Sequence, residues 1–213
     1  MILITKVERK GKKIQLTLSD STSLKLSSDI FKKYNFVSGE EVDDQLLEKI
    51  KYENEYYEAK ISALRFLSIR NHSLNELKQK LIKKKYSLNV IQRVLDELIN
   101  LNYLNDKKFA DQFYNELLNK GFGPLKIKNE MIKRGIEIKA IDEILQDYFN
   151  NDEEQIKVIL KYLQKNKFSK KLKTKKEFQK VYNHLAGRGF SSSAILKSLK
   201  EKFGNKIQFD AVE

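Results

Sequence analysis

The residues with the clearest chemical potential in this sequence lie in two basic runs. No acidic residue occurs between Lys78 and Arg93, and none occurs in the stretch 165–176. Basic side chains at this density neutralise backbone phosphates of nucleic acids, and each contact releases counterions, so that binding is salt-sensitive. Most of these residues are lysines, whereas reading base edges favours the arginine fork. We therefore expect contacts mainly to the phosphate backbone; a solvated helix face beside a lysine-rich loop is the alternative interpretation.

The candidate residues for binding DNA or an acidic protein surface come from these runs, from the segment between them and from two arginines just outside them. They are Arg70, Lys78, Lys80, Lys83, Lys84, Lys85, Arg93, Lys126, Lys128, Lys133, Arg134, Lys170, Lys171, Lys173, Lys175, Lys176 and Arg188. Three of them, Lys84, Arg134 and Arg188, each stand two residues before an apolar residue. A cation near a helix C-terminus stabilises the helix dipole by roughly 0.3–1 kcal/mol. For this trio, a structural role and a binding role both remain open.

Residues suited to catalysis are scarce in the sequence. It contains no cysteine and only two histidines, His72 and His184. It has no Walker lysine loop, no dinucleotide-binding glycine motif after a strand and no His-Glu-x-x-His zinc motif. We interpret the Gly121-x-Gly123 segment as a turn between helices, and the acidic residues around Asp142 as a solvated helix edge. The sequence therefore predicts a protein that is not an enzyme, without catalytic, cofactor-binding or metal-binding residues.

Composition favours a helix-rich protein. The 213 residues include one proline, eight glycines and a net charge of +13. No stretch approaches the roughly 20 apolar residues that span a bilayer, so we expect a soluble, cytoplasmic protein. The excess of lysine is compatible with an AT-rich genome, but its distribution is uneven. Basic residues exceed acidic ones by four in 55–104 and by eight in 151–213, whereas 105–150 is neutral.

The N-terminal extension, residues 1–54, has a pattern of its own. Apolar and polar residues alternate over residues 14–18 and 24–26, which is typical of strands with one buried face. The pattern predicts a small antiparallel β-meander of three strands with turns near Gly11 and Asp20. Short helices should follow, one from Ser28 to Tyr34 and another beginning near Asp43.

The remaining sequence contains an internal repeat. The segments that begin at Leu81, Met131 and Leu185 align without gaps, at spacings of 50 and 54 residues. Each repeat predicts three helices, with the second and third joined by a short helix-turn-helix-like turn. The fold class is therefore mainly α, with three tandem three-helix repeats at 55–104, 105–150 and 151–205 and a C-terminal tail at 206–213. Such repeats stack into an elongated array.

Helix boundaries carry chemical signals. Ser73 with Glu76, and Thr174 with Glu177, match the capping box at a helix N-terminus. The segment Gly121-Phe-Gly-Pro124 ends one helix and begins the next. Asn105 or Asp106 is expected to cap the helix that starts near residue 107.

Several of these segments resemble the RecX family of bacterial RecA regulators. The run Ala63-Leu-Arg-Phe-Leu-Ser-Ile-Arg70, followed by Ser73-x-x-Glu76-Leu77-x-x-Lys80-Leu81, is similar to the first repeat of that family. The segments 101–110 and 120–136 are similar to its central part. The resemblance covers about residues 55–205 and departs from the family at Asn105-Asp106, where paired aspartates are common. The family-motif residues are Ser73, Glu76, Asp106, Phe109, Ala110, Gly121, Gly123, Pro124 and Gly135.

The resemblance implies a non-enzymatic modulator that lodges in the helical groove of the RecA–DNA filament. Such a protein would limit filament growth, ATP hydrolysis, strand exchange and coprotease activity, and so act in DNA repair, homologous recombination and the SOS response. The expected partners are RecA and single- or double-stranded DNA contacted through its backbone, with no cofactor, no membrane and a monomeric state. The alternative is a helix-turn-helix DNA-binding protein that acts on duplex DNA independently of RecA. A nuclease is the weakest interpretation, because metal ligands and bases are lacking.

Overall fold

The structure, a computed structural model, describes residues 1–166 and 174–204. The chain forms two compact units that meet in sequence between Leu104 and Asn105. Its described part is mainly helical, with a small antiparallel sheet near the N-terminus. The predicted fold class is confirmed in these respects.

The N-terminal sheet contains four strands rather than the three that were predicted. They are β1 (Ile2–Lys10), β2 (Lys13–Leu18), β3 (Ser23–Ser27) and β4 (Glu41–Val42), in the spatial order β3-β2-β1-β4 with every pair antiparallel. The additional strand β4 has only two residues, too few to show period-two alternation in the sequence. Leu16 and Leu26 point into the core of this sheet and are almost fully buried. Helix α1 (Ser28–Tyr34) follows with the predicted bounds.

A long helix joins the sheet to the first repeat. Helix α2 (Asp44–Ile69) begins after its cap Asp43 and runs without interruption through the expected domain boundary at residue 54. Within it, the buried Asn54 accepts a hydrogen bond from the Ser27 amide at 2.7 Å and donates one to the Lys25 carbonyl at 3.2 Å. Because a buried amide without partners is costly, these bonds fix the register of α2 against β3.

The other helices follow the predicted repeat. They are α3 (Leu74–Lys83), α4 (Leu88–Asn100), α5 (Asp106–Asn119), α6 (Pro124–Lys133), α7 (Ile138–Asn150), α8 (Asp152–Lys165), α9 (Lys175–Gly187) and α10 (Ser192–Phe203). The first repeat uses the C-terminal part of α2 with α3 and α4; α5–α7 form the second and α8–α10 the third. Leu81, Met131 and Leu185 are all fully buried at equivalent positions.

The helix caps form where the sequence places them. The Ser73 hydroxyl accepts a hydrogen bond from the Glu76 amide at 3.1 Å. Thr174 and Glu177 form a reciprocal capping box. Of the two candidates at the start of α5, Asn105 is the cap, with its side chain accepting from the Lys108 amide at 2.9 Å. Pro124 is the first residue of α6.

The turn between the second and third helices has one geometry in all three repeats. Lys84, Arg134 and Arg188 are the C-cap residues, and the next residue has a positive φ in each case. The amide two residues after the cap bonds back to the carbonyl of the buried residue at position 81, 131 or 185. This is the Schellman arrangement, which satisfies the last carbonyls of a helix.

In the second compact unit, two turns meet at a contact that we call the glycine clasp, formed by Gly121, Gly123, Arg188 and Gly189. The Gly123 amide donates to the Arg188 carbonyl at 2.8 Å, and the Leu125 amide donates to the Gly189 carbonyl at 3.2 Å. These bonds satisfy amide groups at the start of α6 that no helical carbonyl can reach. A Cβ atom on Gly123 would lie 2.4 Å from backbone atoms of Gly189. Only glycine therefore fits there.

The Arg188 side chain completes the clasp. Its Nε donates to the Gly121 carbonyl at 2.8 Å, and its guanidinium also donates to the Lys120 carbonyl. The guanidinium carbon lies 4.0 Å from the ring centroid of Tyr162 and 4.5 Å from that of Phe122. Arg188 thus satisfies free carbonyls at the end of α5 while it packs between two aromatic rings.

We predict that Gly123→Ala lowers the free energy of unfolding by about 2–4 kcal/mol, because the new methyl group collides with backbone and breaks the clasp hydrogen bonds. Gly187→Ala is the matched control, since nothing lies within 4 Å of a Cβ at that position. It should change stability by at most about 1 kcal/mol, in the stabilising direction expected for alanine in a helix. Urea unfolding followed by circular dichroism measures both. Equal stability of the two variants would contradict the role of the clasp.

The two histidines differ in burial, since His72 is buried whereas His184 is exposed and stacks on the ring of Tyr162. His72 is buried, and His184 accepts or donates a hydrogen bond of 2.9 Å with the Tyr162 hydroxyl. Burial lowers the pKa of His72; burial and then the charge of Arg188 lower the pKa of His184. The unfolded chain, with histidine pKa values of about 6.5, then binds more protons than the folded chain as the pH falls.

We therefore expect the thermal unfolding midpoint to fall as the pH is lowered from about 7.5 to 5.5, through the unfolded histidine pKa. His184→Gln should reduce this slope, because the lowered pKa is removed with the imidazole. His72→Gln should do the same independently in the first compact unit. Identical slopes for the unsubstituted protein and both variants would show that the histidines do not cause the dependence.

Candidate nucleic-acid interface

The first basic run surrounds the turn between α3 and α4. Lys83, Lys84 and Lys85 are exposed at the end of α3, and Lys78 is half-buried one turn earlier. Among the described residues, none of these four lysines makes an ion pair. Lys85 has φ +66°, in the left-handed region, whereas the equivalent residues of the other repeats are glycines. The turn is therefore a cationic surface whose charges are not neutralised by neighbouring carboxylates.

Aromatic side chains of α2 form cation–π contacts with three basic residues of this run. The ammonium of Lys80 lies 4.7 Å from the ring centroid of Phe66, and that of Lys84 lies 5.9 Å from it. The Arg93 guanidinium stacks over Tyr56 at 4.4 Å. Cation–π contacts at exposed sites contribute about 0.5–1 kcal/mol each and restrict the side chains. Arg93 nevertheless remains exposed to solvent, and Lys80 is half-buried.

Arg70 serves the local structure. Its guanidinium bonds both carboxylate oxygens of Glu76 at 3.0 Å, and its Nη1 donates to the Asn71 carbonyl. This paired geometry is the strong form of an arginine–carboxylate contact. It also places a neutralised carboxylate, rather than a free one, in the first turn of α3.

In the second repeat, carboxylates neutralise the predicted basic residues. Glu130 pairs with Lys133 at 2.9 Å and with Lys126 at 3.5 Å. Asp142 pairs with Lys128 at 2.6 Å. Because these cations already have partners on the same surface, a second anion would have to compete with a carboxylate for each of them.

In the third repeat, one candidate basic residue has a structural role and two others are exposed. Arg188 belongs to the glycine clasp, and Arg134, its counterpart in the second repeat, stacks over Phe113 at 5.1 Å. Lys175 and Lys176 are exposed in the first turn of α9. Lys170, Lys171 and Lys173 lie outside the described residues, as does the tail at 206–213.

Within residues 1–166 and 174–204, no group of three or more His, Cys, Asp or Glu side chains lies close enough together to hold a metal ion. No helix in that same part of the chain is both long enough and apolar enough to span a membrane.

Comparison with known proteins identifies the family. A model of the first three-helix domain of RecX matches residues 59–98, and a model of the second three-helix domain matches residues 105–145. The regulatory protein RecX of Clostridium acetobutylicum is 32% identical over 209 residues, which cover 94% of this chain and 96% of the relative. The chain belongs to the RecX family. The regulatory protein RecX of Bacillus subtilis is 31% identical, over 94% of this chain and 77% of its own length.

Solved RecX structures have the same fold. A crystal structure of regulatory protein RecX aligns with 93% of this chain and 98% of its own, with a TM-score of 0.62 and 19% identity. The crystal structure of RecX from Lactobacillus salivarius covers 70% of this chain with a TM-score of 0.59 and 24% identity. The resemblance inferred from the sequence is therefore confirmed at the level of family and fold.

The RecX repeats share a feature that the sequence did not reveal. The C-cap cations Lys84, Arg134 and Arg188 each stack on an aromatic ring from the first helix of their own repeat, namely Phe66, Phe113 or Tyr162. The aromatic residues were visible in the sequence, but their spacing differs between repeats. Their contact with the cap cation depends on how each first helix packs, which spacing alone does not determine.

Lys85 offers a test of strain in this RecX turn. A non-glycine residue in the left-handed region is disfavoured, and Gly135 and Gly189 hold the same position in the other repeats. We predict that Lys85→Gly raises the free energy of unfolding by about 0.5–1 kcal/mol, after allowance for the greater flexibility of glycine in the unfolded chain. Lys83→Gly, at the last residue of α3, should instead lower the free energy of unfolding by about 1 kcal/mol, because glycine is unfavourable within a helix. Thermal or urea unfolding of both variants provides the measurement.

Proposed function

We propose that this protein is a regulator that binds the RecA–DNA filament in its helical groove and inhibits RecA. The observation that carries the proposal is the similarity to regulatory proteins named RecX over nearly the whole chain. Inhibition would extend to filament growth, ATP hydrolysis, strand exchange and coprotease activity. The protein would thereby act in homologous recombination, DNA repair and the SOS response, as a cytoplasmic monomer without catalytic activity.

The distribution of charge supports contact with one filament at two places. The excess of basic residues belongs to the first and third repeats, whereas the second is neutral in sequence and its Lys126, Lys128 and Lys133 are ion-paired. The first and third repeats would contact filament DNA or acidic protein surface. The second repeat would then serve mainly as the structural link between them.

DNA-dependent ATP hydrolysis by RecA, titrated with substoichiometric amounts of this protein, tests the proposal. We expect the rate to fall well before the two proteins are equimolar, because each bound molecule limits a growing filament rather than a single subunit. Bovine serum albumin at the same concentrations is the control. An unchanged rate across the titration would refute RecA inhibition.

A set of lysine replacements tests the contribution of the third repeat. Changing Lys170, Lys171, Lys173, Lys175 and Lys176 to glutamine should weaken inhibition of RecA and flatten its salt dependence, because fewer counterions are displaced on binding. Lys107→Gln with Lys108→Gln, at exposed positions in the neutral second repeat, is the control. Unchanged inhibition by the five-lysine variant at moderate salt would remove the third repeat from the proposed contact.

A second candidate function is a helix-turn-helix protein that binds duplex DNA independently of RecA. The short turn that joins α3 to α4 favours it, since such a turn positions a recognition helix in DNA-binding proteins. The two functions make opposite predictions. Sequence-selective binding to a defined duplex would support the second candidate, whereas activity against RecA filaments on any DNA sequence would support the first.

A further inference from the structure

The repeated architecture allows the same surface to be compared between two repeats. Helices α3 and α6 begin at residues 74 and 124, and α4 and α7 begin at 88 and 138, so that equivalent residues differ by 50 in number. The turns between them have the same cap geometry, with φ −82° at Lys84 and −81° at Arg134. A difference in charge at equivalent positions therefore reflects the surface rather than the fold.

Several equivalent positions differ in charge, and at three of them a carboxylate of the second repeat replaces a cation or a neutral residue of the first beside the paired lysines. The carboxylates Glu130, Asp142 and Glu143 of the second repeat correspond to Lys80, Gln92 and Arg93 of the first. In the second repeat, Glu130 and Asp142 neutralise Lys126, Lys128 and Lys133. In the first repeat, Lys78 stands where Lys128 does, but its counterpart to Asp142 is the uncharged Gln92. One scaffold thus presents a neutralised surface in the second repeat and an unneutralised cationic one in the first.

The carboxylates that remain near the α3–α4 turn are already engaged. Glu76 is paired with Arg70, and Glu55 accepts hydrogen bonds from the amide and hydroxyl of Ser87 at the start of α4. Glu97 pairs with Lys60 at 2.7 Å, and Asp96 accepts from Gln92. Because Glu55 occupies the N-terminus of α4, an anion would be held by the side chains of the turn rather than by that helix end.

The side chain of Lys85 is not required by the geometry of this turn. Gly135 and Gly189 form the same turn without a side chain and without strain. Lys85 adopts a left-handed conformation in which a side chain is disfavoured, and it is exposed. Strained residues of this kind are typical of binding sites.

We propose that the first-repeat turn surface, formed by Lys78, Lys83, Lys84, Lys85 and Arg93, binds the phosphodiester backbone of DNA, and that the equivalent surface of the second repeat does not. The proposal adds a direct DNA site to the function proposed above and does not depend on RecA. Lysines that are free of carboxylates bind phosphates by charge, with little regard to sequence. The stacked Arg93 supplies a pre-positioned donor fork at one edge of the surface.

Fluorescence anisotropy with the full chain and a fluorescein-labelled 30-base-pair duplex of mixed sequence, in the absence of RecA, tests this directly. Lys83→Gln with Lys85→Gln should weaken binding about tenfold near 50 mM salt and reduce the slope of log affinity against log salt by about two, one for each lost phosphate contact. Lys126→Gln with Lys133→Gln, which removes two paired lysines from the second repeat, should change affinity less than about twofold. An equal loss of DNA affinity in the two double variants, or no loss in the Lys83→Gln, Lys85→Gln variant, would overturn the proposal.

Adding one carboxylate at either of two positions distinguishes binding of DNA at the first-repeat turn surface from a general effect of net charge on DNA affinity. Gln92→Asp copies Asp142 into the first repeat, where Lys78 is the counterpart of Lys128, and should weaken binding several-fold. Asn115→Asp adds the same charge at an exposed position on α5 and should have less than about a twofold effect. If both substitutions weaken binding equally, only net charge matters, and the assignment to the first-repeat turn surface is wrong.

Lys85→Gly excludes unfolding as the cause of any loss. This variant is expected to be more stable than the parent protein and yet to bind DNA about three-fold more weakly. A single strand of the same length, measured in parallel, shows which form of DNA the surface accepts, since phosphates are common to both. Undiminished affinity of Lys85→Gly for both forms would contradict a contact at this residue. RecA inhibition is measured separately, so that failure of one proposal leaves the other to its own test.

Discussion

The second compact unit depends on the close approach of two turns at the glycine clasp. Helix ends carry amide and carbonyl groups that the helix itself cannot satisfy, and burying them without partners is costly. Here the free amides at the start of α6 bond to carbonyls of the α9–α10 turn, while Arg188 returns two bonds to the end of α5. The exchange requires backbone to touch backbone, which only Gly123 and Gly189 permit. Three of the eight glycines and the single proline of the sequence lie where this contact forms.

In a repeated fold, the buried positions that maintain the structure are distinct from the exposed positions that can bind a partner. Each repeat buries the same apolar positions and closes the same turn, so its exposed positions can vary at little cost to stability. In the second repeat these positions form ion pairs, and in the third Arg188 is drawn into the clasp. The first repeat keeps several cations without carboxylate partners. A RecX-family protein can therefore present different surfaces on repeats of the same fold.

The elements of this fold were predictable because their signals are local. Helix α1, the caps Asn105 and Thr174, and the register of the three repeats all agree with the sequence. Strand β4 was not predicted, because two residues carry no periodicity. The continuity of α2 through residue 54 was not predicted either, since its first half packs on the sheet through Asn54 and its second half on α3 and α4.

The sequence by itself determined the helical repeats, the family and the uneven distribution of charge, because apolar periodicity, capping residues and net charge are properties of short segments. The tertiary structure decided which cations are available to a ligand. Lys128 and Lys78 occupy equivalent places in similar segments, yet Lys128 pairs with Asp142, whereas the residue equivalent to Asp142 in the first repeat is the uncharged Gln92. Likewise, Arg188 lies in the same sequence position as Lys84 but donates to carbonyls nearly 70 residues away. Partners brought together by folding set the chemistry of each charge, and no local pattern contains that information.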